Sequence, residues 1–148
     1  LAFGLGSVIG TWVAGRLADW DVNRSVLGGF VGSIVVLVLV FVLSPYSVPA
    51  AVLVFGVGVV SSVLAITLQM RLMQTSGDAQ MLGAALNHSA LNIANGLGAW
   101  LGSVVIEAGH GYRAPSLVGA GLAVAGLVVF LGALRSQRRT AEVPVLVA

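Results

Sequence analysis

Long apolar runs alternate along this chain with short polar interruptions. The runs fall at roughly residues 1–17, 26–43, 49–68, 80–107 and 115–134. A helix rising 1.5 Å per residue needs about 20 apolar residues to cross a bilayer, so each run is a candidate membrane span. The separators GRLADWDVNRS, SPYSV, QMRLMQTSGD and AGHGYRA consist of turn formers and charges. The pattern predicts an all-α membrane protein with about five transmembrane helices, a bundle over 1–134 and a tail over 135–148. The first run is a few residues short, Leu1 is not a methionine, and no basic segment or small-residue cleavage site precedes the run. The expectation is therefore a polypeptide whose natural beginning lies upstream.

The fourth run departs from uniform apolarity. Its segment LNHSALNIAN carries a histidine and three asparagines near the middle of the span. At 100° per residue, His88, Asn92, Asn95, Ala99, Gly102 and Ser103 share an arc of roughly 100°. Leu86, Ile93, Leu97, Trp100, Leu101 and Val104 fall on the far side, and Asn87 and Ser89 lie off the polar arc. Polar side chains at this depth face a bundle interior or a wet cavity rather than lipid. Two roles fit them: hydrogen bonding between packed helices, or the wall of a substrate path. In the third run Phe55, Ser62 and Gln69 recur every seven residues with Gly58 and Ala65 between them, a second candidate cavity wall. A packed core around Phe55, with Ser62 bonded to its own helix, is the alternative there.

Glycine is frequent inside the runs. Gly6 with Gly10, and Gly98 with Gly102, form GxxxG pairs in the similar contexts GLGSVIG and GLGAWLG. Small residues at this spacing let helices approach closely, and the likeness suggests that the first and fourth runs are related by an internal repeat.

Charge gives an orientation. All seven basic residues are arginines. Arg16, Arg24, Arg71, Arg135, Arg138 and Arg139 flank one set of alternate connections and Arg113 stands alone in the other, so the six-arginine side, with the C-terminus, is expected to be cytoplasmic. The location expected is the inner (plasma) membrane, with Trp12, Tyr46 and Tyr112 as candidate interfacial anchors. The absence of cysteine excludes disulfides and thiolate sites. Two histidines 22 positions apart and no paired carboxylates suggest no metal or other cofactor. Arginines scattered between apolar runs leave no footprint for nucleic acid.

Residues Gly15 to Arg24, GRLADWDVNR, read as a charged cytoplasmic connection in which Asp19 needs a partner such as Arg16 or Arg24. This stretch resembles the loop motif G-x-L-A-D-R-x-G-R-R of the major facilitator superfamily, in its copy after the eighth helix. Gly15, Leu17, Ala18, Asp19 and Arg24 match, and Trp20, Val22 and Asn23 depart from it. LQMRLM at 68–73 and ALNIANGLGAWLGSVVIEAGHGY through Tyr112 resemble the tenth and eleventh helices of the drug/proton antiporter-1 branch, which includes exporters of sugars, arabinose polymers or chloramphenicol.

The resemblance implies a twelve-helix fold of two six-helix halves, of which this chain supplies helices eight to twelve and a missing N-terminal half supplies the partner. It implies that His88, Asn92 and Asn95 border the central cavity. It also implies that Asp19, with Gly15 and Arg24, forms a gating loop that docks on the other half. The function expected is efflux of a small organic compound by alternating access, coupled to protons through a carboxylate in the missing half. Two other classes remain open: a packing subunit or degenerate gene product that transports nothing, and a membrane-embedded enzyme using His88. The latter lacks a second catalytic group at a suitable spacing, so the chain is expected not to be an enzyme.

Overall fold

The computed structural model describes residues 1–141. Five long helices make up the chain: α1 (Ala2–Trp20), α2 (Val22–Leu43), α3 (Ser47–Thr75), α4 (Gln80–Val105) and α5 (Ala114–Ala141). A short 3-10 turn, Gly77–Ala79, leads into α4, and a π turn, Ile106–His110, closes it. Among the described residues, four helical stretches are long and apolar enough to cross a membrane: Val22–Leu43, Val48–Thr75, Gly77–His110 and Ala114–Gln137. The sequence pattern counted five. The difference is α1, whose 19 residues include Arg16 and Asp19 because the helix runs on past Leu17 to Trp20.

Other boundaries move for the same reason, since a polar residue does not end a helix unless its backbone must turn. α3 continues from Leu68 through Arg71 to Thr75, so most of the expected QMRLMQTSGD connection is helical. It stops where the Ser76 hydroxyl donates to the Leu72 carbonyl at 2.6 Å and Gly77 takes a φ of 51°. α4 ends at a π turn in which Gly109 adopts a φ of 82°, and Gly111 just after it takes 76°, conformations that favour glycine. α5 opens with Pro115 in its first turn, where the missing N–H costs nothing. It carries on through Arg135 to Ala141, so the expected tail is partly helix, and residues 142–148 lie outside the described residues.

The first connection changes most. Instead of a loop from Gly15 to Arg24, the chain has a one-residue joint at Asp21, whose backbone is extended (φ −163°, ψ 109°) between two helices. Asp21 Oδ1 accepts the backbone N–H groups of Asn23 at 2.9 Å and Arg24 at 3.1 Å, which caps α2. The buried Ser25 hydroxyl lies 2.7 Å from the carbonyl oxygens of both Leu17 and Asp21, tying the end of α1 to the start of α2.

α3 is the centre of the bundle. It packs most extensively on α1, then on α2 and α4, while α5 closes against α2 and α4. Glycine makes the α1–α3 seam possible. A methyl group added at Gly6 would run into the Phe55 carbonyl, and one at Gly58 into the Phe3 carbonyl. At Gly10 it would sit 2.9 Å from the Ser62 Cβ. Beside this seam a small core of Ala18, Val22, Val26 and Phe30 is covered by Leu64, Leu68, Met70, Leu127 and Phe130. The Phe30 and Phe130 rings are tilted at 40°, 6.1 Å apart. Most other apolar side chains point outward, including Val52 at 64% exposure and Val129 at 73%. Such a surface has no stable arrangement in water and a natural one in hydrocarbon.

Substituting Gly6 or Gly10 with leucine is expected to cost about 2 kcal/mol or more through overpacking against backbone atoms that cannot yield. Thermal unfolding of the purified chain in detergent should show both variants melting earlier. Leucine at Gly98, which has open space around it, should leave the midpoint unchanged.

Candidate functional site

α4 presents three faces. Gly83 and Asn87 are buried towards α3 and α5, where a methyl at Gly83 would press on the Ser76 side chain. Leu82, Leu86, Ile93, Leu97, Trp100 and Val104 form an exposed apolar face. His88, Asn92 and Asn95 form a third face, also exposed, and make no hydrogen bond with any described residue. The two exposed faces differ in chemistry and point in different directions. Leucine and tryptophan side chains suit hydrocarbon, whereas histidine and asparagine at this depth are costly there unless they are hydrogen-bonded.

The other sequence-predicted residues sort as follows. Phe55 and Ser62 lie at the α1–α3 seam with Gly58 between them, so α1 covers the upper part of that stripe. Gln69 is half-buried lower on α3, beyond the glycine contacts. Gly6 and Gly10 are in close contact with α3, whereas Gly98 meets nothing within 4 Å and Gly102 has only an ordinary 3.8 Å contact with Pro115. The two GxxxG pairs therefore have different surroundings. Gly15 and Asp19 are exposed near the end of α1, and Asp19 makes no ion pair among the described residues. Both proposed partners of Asp19 are engaged elsewhere. Arg24 Nε is 3.5 Å from Asp21 Oδ2, and the Arg16 guanidinium stacks 4.1 Å from the Trp12 ring centroid.

The sequence reading passed over Asn87, which is the buried amide of α4 at 9% exposure, with its Nδ2 unpartnered. A usable signal was present in its spacing: Asn87 lies four residues after Gly83 and four before Leu91, in one row of the helix surface where the glycine lets a neighbour come close. A cavity of about 580 Å³ opens away from α4, beside the joint, lined by Leu17, Trp20, Arg24, Gly28, Val60 and Val63.

The chain is 35% identical over 138 residues, 93% of its length, to the inner membrane transport protein YdhP of Escherichia coli (strain K12). It is 30% identical over 139 residues, 94% of its length, to the uncharacterized MFS-type transporter YfhI of Bacillus subtilis (strain 168). A probable sugar efflux transporter of Helicobacter pylori is 34% identical over 113 residues, 74% of this chain. The chain belongs to the major facilitator superfamily.

This major facilitator chain spans 35% of the length of the first two relatives and 28% of the third. No family model matches it, and no solved structure matches it significantly. Its long apolar helices are those of an all-α membrane protein. The stretch that resembles the facilitator loop motif is built here as helix, joint and cap rather than as an open loop. Asp21, two residues after the motif's acidic position, holds the α1–α2 turn and leaves Asp19 free of local duty. Replacing Asp21 with alanine should destabilise the chain by about 1 kcal/mol through loss of the cap, whereas Asp19→Ala should not. Paired thermal melts of the two variants measure the difference.

Proposed function

We propose that this chain is the C-terminal part of a secondary-active exporter, of the drug/proton antiporter type, that moves a small polar organic compound outward by alternating access. One observation carries the reading: α4 holds a strip of unpartnered hydrogen-bonding side chains, His88, Asn92 and Asn95, on a face distinct from its apolar one. Asparagine offers both donors and an acceptor, the set that hydroxyl- and amide-bearing compounds require. The name of the Helicobacter relatives, sugar efflux transporter, is in keeping with such a ligand.

The strip faces the N-terminal half of the transporter, and the substrate passes between the two. Phe55, Ser62 and Gln69 support the path from behind, with Gln69 closest to being available. Asp19, exposed and without a local partner, docks on the other half in one access state. The end of the bundle bearing six of the seven arginines is cytoplasmic, so the C-terminus lies on the cytoplasmic side of the inner membrane. Protons drive export through a carboxylate of the N-terminal half, since His88 is the only titratable side chain well inside an apolar span here.

Asn92→Leu and Asn95→Leu in the full-length transporter are expected to insert in normal amounts. Each should lower export by about tenfold, the loss of one or two hydrogen bonds to a desolvated substrate. Membrane immunoblots and efflux from loaded cells measure the two quantities separately. A fall in membrane amount matching the fall in export would instead assign these residues to packing, and chemical conversion of the compound would assign the chain to an enzyme.

A further inference from the structure

At the end of the bundle where α2 begins and α3 and α5 end, Arg71 of α3 donates to Gln137 Oε1 of α5. This pair stands between two cavities, both of which it lines together with Leu134. The cavity on the α2 side, about 470 Å³, also takes in Asp21 and Arg24. The one on the α4 side, about 260 Å³, is different in charge: Asn87 and Thr75 are its other polar residues, and no carboxylate lines it.

Donors outnumber acceptors there. The Arg71 guanidinium has several N–H groups, and its partner Gln137 is neutral, so the positive charge is uncompensated by any ion pair among the described residues. The Asn87 side chain is 9% exposed and its Nδ2 has no partner, an arrangement that leaves a buried donor unsatisfied. The Thr75 hydroxyl is already spent on the Arg71 and Leu72 carbonyls. Leu68, Leu72, Phe130 and Ala133 supply the apolar remainder of the wall.

We propose that this cavity binds an oxyanion, a carboxylate or phosphate carried on a small apolar body, with Arg71 and Asn87 Nδ2 as its donors. An oxyanion neutralises the guanidinium and satisfies the buried amide at once, and its apolar body covers Phe130 and the leucines. The site is separate from the His88, Asn92 and Asn95 face and does not depend on the transport reading. Two sources share the chemistry, a free organic anion and the phosphate of a membrane lipid.

The test is equilibrium binding of radiolabelled benzoate to the full chain in phosphatidylcholine nanodiscs, where saturable binding at a single site is expected. Asn87→Leu, close in size and uncharged but without the donor, and Arg71→Gln should each weaken it by about tenfold or more. Arg24→Gln, in the neighbouring cavity, should leave it unchanged. Repeating the titration in phosphatidylglycerol nanodiscs separates the sources. Competition that disappears in Arg71→Gln assigns the site to a lipid phosphate, and undiminished benzoate binding assigns it to a free anion. Non-saturable binding, or saturable binding indifferent to both Asn87→Leu and Arg71→Gln, overturns the proposal.

Discussion

The close approach of α1 and α3 is the contact on which the rest of the bundle depends. In a bilayer, lipid tails solvate leucine and valine as well as a neighbouring helix does, so apolar burial gives little net drive to associate. Contact between backbones supplies dispersion instead, and Gly6, Gly10 and Gly58 allow it by removing the atoms that would hold the helices apart. With α1 seated, α3 is held centrally, and α2 and α4 pack on its other sides.

The joint at Asp21 follows from the same geometry. With α1 lying along α3, and α2 also packed on α3, the chain must reverse direction in almost no length, and a single extended residue does so. As at any helix start, the first N–H groups of α2 lack helical partners, and the Asp21 carboxylate accepts two of them. Arg24 beside it is exposed and contributes little by charge. Structural duty thus falls on Asp21, and Asp19, which the loop motif would single out, carries none within this chain.

α4 shows how one helix divides its surface among three environments. A glycine and one amide face the bundle, leucines and a tryptophan form an exposed apolar face, and His88, Asn92 and Asn95 form a separate exposed polar strip. Within the major facilitator superfamily, this chain spans about a third of the length of its first two relatives. The cluster around Arg71 and Asn87 is a second polar region, at the end of the bundle, built from three different helices.

Apolar run lengths determined by themselves that this is an all-α membrane protein, because a helix is the one open-ended element that satisfies its own backbone in lipid. Helical periodicity likewise sufficed to put His88, Asn92 and Asn95 on one face. Periodicity could not say which faces are covered, since that depends on neighbours chosen by shape. Only the tertiary structure set Ser62 against Gly10, left Gly98 in open space and buried Asn87 rather than His88. It also decided where helices end: Arg16, Asp19 and Arg71 look like breaks in hydropathy, yet a charge near a helix terminus continues the helix at no backbone cost. The turn comes where hydrogen bonding redirects the chain, at Asp21 and at Ser76.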